Sequence, residues 1–105
     1  MKVLIPIHND DVAPRFDLAT EVYVAEIEGD GTVLNERTIV LPQASSEDLC
    51  SFIVREGVDL VICGGIEDEF YQYLRWKSVT VIDSVMDSYA NALDDIASRT
   101  REKGS

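Results

Sequence analysis

Histidine, cysteine and tryptophan are scarce in this 105-residue chain, with one His, two Cys and one Trp. A single histidine rules out any site built from several imidazoles within one copy. Two cysteines allow at most one intramolecular bridge, and a sequence that is 46% apolar can build a core without it, so both thiols are expected to be reduced. Basic residues are also few. Nine Lys and Arg stand against twenty Asp and Glu, a formal charge of −11. That balance repels nucleic-acid phosphates unless a basic patch is concentrated locally, and the sequence holds no such patch. Long apolar runs are missing too. No stretch approaches the roughly 20 residues of a membrane-spanning helix, and the run Val3 to Ile7 is too short for the central region of a signal peptide. The expectation is a soluble, cytoplasmic protein with neither nucleic acid nor membrane as partner, organised as one domain over residues 1–105.

The apolar residues that are present fall into short punctuated runs. Residues 2 to 7 read as a buried strand, with Pro6 near its end or at a tolerated edge position. His8 to Asp17 is polar and reads as irregular. Thr20 to Ile27 alternates as a second strand, Glu28-Gly29-Asp30-Gly31-Thr32 supplies a hairpin, and Val33 to Leu41 returns antiparallel. Ser45 or Ser46 caps a first helix carrying Leu49, Phe52 and Ile53 and ending at Gly57. Residues 58 to 62 form the next strand, Gly64-Gly65 turns the chain, and Phe70, Tyr73 and Leu74 mark a short second helix. Residues 79 to 82 are a last strand. Ser84 is expected to cap a final helix with the stripe Met86, Tyr89, Ala90, Leu93, Ile96 and Ala97, and the tail from about residue 99 to fray. Right-handed strand-helix-strand units then give an α/β domain: a five-stranded mixed sheet in order 3-2-1-4-5, flanked by three helices.

That order sets the end of the first strand beside the end of the fourth. His8 and Cys63 would then share one rim, where open α/β sheets place their ligand sites. Imidazole and thiolate both bind soft or borderline metals, so His8 and Cys63 are the candidate metal ligands. Backbone amides near Gly64-Gly65 would favour the thiolate, whereas a cysteine at a strand end is also commonly a small buried apolar residue. Arg15 can face an anionic ligand or clamp Asp17 or Asp11. Gly64 and Gly65 can expose amides or simply turn the chain sharply. Cys50, beside the Leu49–Phe52 stripe, reads as core. Tyr73 is expected to face the core and Tyr71 and Trp76 to be more exposed, as part of a homodimer or partner surface; the alternative for Trp76 is that it closes the end of the core.

With those residues in view, the chain resembles the dinitrogenase iron-molybdenum cofactor biosynthesis family. The resemblance rests on Val12-Ala13-Pro14-Arg15-Phe16-Asp17-Leu18-Ala19 and on Cys63-Gly64-Gly65-Ile66. It implies a ribonuclease-H-like three-layer fold and a site built from Arg15, Phe16, Gly64 and Gly65. It also implies an iron-sulfur or molybdenum-containing cluster as cofactor or cargo, with a metallocofactor-assembly protein as partner. The sequence departs from the family at Asp17 and Leu18, where glycine and arginine are usual. It departs again at Glu67-Asp68-Glu69, whose carboxylates compete with an anion for the helix amino terminus, and between Pro42 and Glu47, where a longer glycine-containing loop is usual.

The expected function is non-enzymatic binding or carriage of such a cluster. The alternative is a regulatory or protein-interaction domain of the same fold that has lost it. Carboxylate-based nuclease chemistry finds little support, because Asp10, Asp11 and Asp17 cluster in one loop and the first strand carries no acid. Serine hydrolysis finds no more, since Ser78, Ser84 and Ser88 lack a nucleophile elbow.

Overall fold

The computed structural model describes residues 1–103. Its first strand, β1 (Lys2–His8), is buried on both faces, which is why it reads as a continuous apolar run. Val3, Ile5 and Ile7 enter one core cluster, and Leu4 enters the other. β3 (Glu21–Ile27) runs antiparallel to β1 from Lys2 opposite Glu26 to Ile7 opposite Glu21. β4 (Val33–Val40) continues the antiparallel pairing at the sheet edge, with a register shift between Val24 and Glu26. On the other side of β1 lie β5 (Leu60–Ile62) and then β6 (Thr80–Ile82), both parallel. The order β4-β3-β1-β5-β6 is the expected 3-2-1-4-5.

Helices complete three layers. α3 (Tyr89–Lys103) covers one sheet face with Ala92, Leu93, Ile96 and Ala97. α1 (Ser46–Arg55) and α2 (Asp68–Trp76) cover the other, α1 through Leu49, Cys50 and Ile53, α2 through Leu74. Ser45 caps α1, its side chain accepting from the Asp48 amide at 3.2 Å.

Four local expectations change. The segment from His8 to Asp17 is not irregular. It contains a two-residue strand, β2 (Asp11–Val12), paired with β1 on its β5 side, and a 3₁₀ turn over Phe16–Leu18. Asn9 takes the left-handed backbone (φ 56°) that lets the chain reverse between His8 and Asp11.

The last helix is capped by Ser88, not Ser84. The Ser88 hydroxyl accepts the Asn91 amide at 3.1 Å, whereas Ser84 has φ 60° and Met86 is almost fully exposed. Residues before Tyr89 are held off the helix because they bond to the β1–β2 turn: Val12 donates to the Asp87 carbonyl and Tyr89 to that of Asp10.

Beyond Arg99, where fraying was expected, the chain is helical to Lys103; residues 104–105 lie outside the described part. Arg99 pairs with Asp95 at 3.0 Å, and the Thr100 hydroxyl donates to the Ile96 carbonyl.

The tyrosines of α2 are exchanged relative to expectation. Tyr71 packs against the core, while Tyr73 is 37% exposed and Trp76, at 75%, lies on the surface instead of closing the core.

Candidate functional site

Pro6 marks the point where β1 changes neighbour. Its pairing with β5 covers Val3 and Leu4, and from Ile7 onward β2 takes that side. A residue without an N–H is tolerated there because no β5 acceptor awaits it. The carboxyl-terminal ends of β1 and β5 therefore part, and the chain's own segment 11–16 fills the gap. Ala13 donates to the Pro6 carbonyl, Gly65 to that of Pro14, and Phe16 to that of Gly65, each at 2.8 Å. Phe16, 1% exposed, plugs the core beneath.

This seam decides what Gly64 and Gly65 do. The Gly65 amide is taken by Pro14, the Gly64 carbonyl accepts from Ser84, and a Cβ on Gly64 would collide with the Ala13 and Pro14 carbonyls. Close backbone approach, together with a sharp turn, is the reason for glycine at 64.

The seam also separates the two proposed ligands. His8 is exposed at the end of β1, on a pocket of about 330 Å³ whose other walls include Ala13, Pro14, Arg15, Leu18 and Glu21. Cys63 is fully buried in the cluster with Leu4, Phe16 and Leu49, and it does not line that pocket. Burial pushes its thiol up to about 12, and the Asp83 carboxylate adds to the shift. Of the two readings open for Cys63, an amide-stabilised thiolate or a small buried residue at a strand end, the fold gives the second, a protonated core thiol. Cys50 is buried as expected, and burial raises its thiol to about 11.

Arg15 reaches the pocket with its charge already engaged. Its guanidinium grips Asp17 in two bonds, Nη2 to Oδ2 at 2.6 Å and Nε to Oδ1 at 3.0 Å. Among the described residues, no three His, Cys, Asp or Glu side chains converge to hold a metal ion, which also leaves Asp10, Asp11 and Asp17 without a two-metal geometry. The pocket offers one free-standing imidazole, a half-neutralised guanidinium and a mixed wall. That set can anchor a cargo that brings most of its own ligands.

Leu18 and Glu21 were not singled out from sequence as pocket residues. Leu18, 60% exposed at the pocket, gave one signal, an apolar residue set in a polar loop. A larger cavity of about 610 Å³, with Met1, Asp59, Thr80 and Arg99 in its wall, lies at the opposite end of the parallel strands, away from His8 and Arg15. Among the described residues no helix is long and apolar enough to cross a membrane.

Residues 1–99 match the dinitrogenase iron-molybdenum cofactor family. The chain belongs to that family. Its ribonuclease-H-like sheet topology recurs in solved structures of low identity. One is the protein PH0822, at 24% identity and a TM-score of 0.86, over 94% of this chain and 90% of that one. A second, from Methanocaldococcus jannaschii and provisionally described as a dinitrogenase, is 22% identical with a TM-score of 0.77, over 95% and 90%. The apo form of the orange protein from Desulfovibrio gigas shares the fold at 13% identity and a TM-score of 0.74, over 94% and 88%. No curated protein matches this dinitrogenase iron-molybdenum cofactor family member in sequence.

Proposed function

We propose that this chain is a non-enzymatic, cytoplasmic carrier that binds an iron-sulfur or molybdenum-containing cluster as cargo for a metallocofactor-assembly partner. The observation that carries the reading is the exposed His8 imidazole on the rim pocket at the end of β1, in a member of the dinitrogenase iron-molybdenum cofactor family. In this reading His8 gives the first protein ligand, and Arg15 is the electrostatic neighbour. Cys63 is the second ligand, reached when the Ala13–Phe16 segment lifts from Gly64 and Gly65. The metal must then displace a tightly held proton, which makes capture slow and pH-dependent.

Anaerobic reconstitution with iron, sulfide and molybdate tests it. The expected result is stoichiometric chromophore binding, lost in H8A and weakened in C63A. Unchanged binding in both variants overturns the ligand pair.

A second reading, an interaction or regulatory domain that has lost its cargo, is favoured by the Arg15–Asp17 ion pair and by the use of the Gly65 amide within the fold. It predicts no chromophore in the wild-type chain.

A further inference from the structure

We infer that a second copy of this chain docks on the α1/α2 face, with the two α2 helices antiparallel across a two-fold axis at Tyr73. α2 and its C-cap carry Glu69, Tyr73 and Lys77 at intervals of four residues, and the Lys77 amide still donates to the Tyr73 carbonyl, so the three lie in one row. Tyr73 and Glu69 line a groove of about 290 Å³ between α1 and α2, with Cys50 and Phe70 as its apolar walls and Glu47 at its acidic end. The row continues onto Trp76, 75% exposed, whose ring centroid lies 6.2 Å from that of Tyr73. The Lys77 ammonium stands 4.5 Å from the Trp76 centroid. The exposed surface of α2 therefore runs from the Glu69 carboxylate in the groove, through the Tyr73 and Trp76 rings, to the Lys77 cation beyond it.

The symmetry of that row selects the occupant. Glu69 and Lys77 are equally far from Tyr73, about 6 Å to either side at the helical rise. An antiparallel second copy sets each Lys77 against the partner's Glu69, twice over, while the two Tyr73 rings meet on the axis and each Trp76 faces the partner's Phe70. This is the self-complementary pattern an isologous interface requires. A foreign helix has no need for charges balanced about one ring, and a parallel copy would oppose like charges. Among the described residues, neither Glu69 nor Lys77 has an ion-pair partner in its own chain.

The charge of −11 opposes association of copies in general. It is offset in part at the carboxyl-terminal ends of α1 and α2, where Arg55, Arg75 and Lys77 lie over the rings of Phe52, Tyr71 and Trp76 and none is paired with a carboxylate. Exposed Trp, Tyr and Arg together are the side chains most enriched at interface centres.

Sedimentation equilibrium of the full chain, from about 10 μM to about 1 mM, brackets a weak dimer and tests the proposal. The wild-type chain is expected to show a monomer–dimer equilibrium. E69K and K77E should each weaken it by about tenfold or more, because each reversal turns two attractive pairs into two repulsive ones. The double variant E69K/K77E should recover the dimer. An equimolar mixture of the two single variants should form a heterodimer, although neither associates alone. Circular dichroism confirms that each variant is folded. A chain that stays monomeric throughout the range overturns the proposal, as does a dimer indifferent to both single reversals or not recovered in the double variant.

Discussion

Gly64 and Pro14 meet backbone to backbone: a Cβ on Gly64 would stand 2.6 Å from the Pro14 carbonyl oxygen and closer still to that of Ala13. No flexible side chain is there to yield, so G64A must push segment 13–16 away from β5. The expected cost is about 1–3 kcal/mol, the usual range for overpacking a fixed interior. Gly65 is the control, because its added Cβ would sit 3.4 Å from the same oxygen, and G65A should cost less than about 1 kcal/mol. Urea denaturation of both variants reads the difference, and equal midpoints would contradict the account.

The two thiols give a pH signature. Burial raises Cys63 to about 12 and Cys50 to about 11, against an ordinary value of 9.0. Both are held neutral in the fold, so the stability they lend is complete below about pH 9. It declines as the pH climbs through 11 toward 12, where the folded thiols must also ionise. Ellman's reagent at pH 8 should therefore react slowly with the native chain. Cys50, which lines the α1/α2 groove, should react first. Displacing the seam in G64A should speed labelling of Cys63 selectively. Native Cys63 reacting as fast as a free thiol would refute the burial argument.

Tyr23 and Glu36 form a second sensitive pair. The nearly buried Tyr23 hydroxyl donates to Glu36 Oε1 at 2.5 Å, and its ring lies 5.0 Å from that of Tyr89. Burial, reinforced by the carboxylate, raises the phenol far above its ordinary value. Ultraviolet titration should show one tyrosine that stays protonated until the chain unfolds, and that signal should disappear in Y23F. Y23F should cost about 1 kcal/mol, the net worth of one hydrogen bond whose acceptor can return to water.

The cap of α3 is tested by comparing serines. S88A removes the acceptor for the Asn91 amide and should destabilise the chain by about 1 kcal/mol. S84A touches no helix cap and should stay within about 0.5 kcal/mol. Thermal melts of the two variants decide between Ser88 and Ser84.

Ser84 shows where sequence reading stops. Apolar periodicity located every main strand and helix, because alternation and the 3.6-residue stripe are local properties of the chain. Periodicity also ran the final stripe back to Met86, which lies outside the helix. The residues before Tyr89 are instead captured by Asp10 and Val12, a long-range contact no local pattern encodes. The candidate site was legible to the same degree. Adjacent parallel strands set the ends of β1 and β5 side by side, and His8 and Arg15 do meet at one pocket. For Cys63 the sequence left two readings open, metal ligand or small buried residue at a strand end, because the choice depends on segment 11–16 turning back into the gap between strands. Pro6 and Gly64 carried traces of that insertion, one lacking a donor and the other a side chain, but each trace admits several explanations.

The pocket wall comes from residues 7–21, and two distant stretches hold it in place: the Gly64–Gly65 turn, bonded to Pro14 and Phe16, and residues 87–89, bonded to the β1–β2 turn. A growing polypeptide emerging from the ribosome therefore displays His8 long before the supports of that wall are present. A molecule that recognises the finished rim therefore meets it only after residues 87–89 have emerged and bonded to the β1–β2 turn.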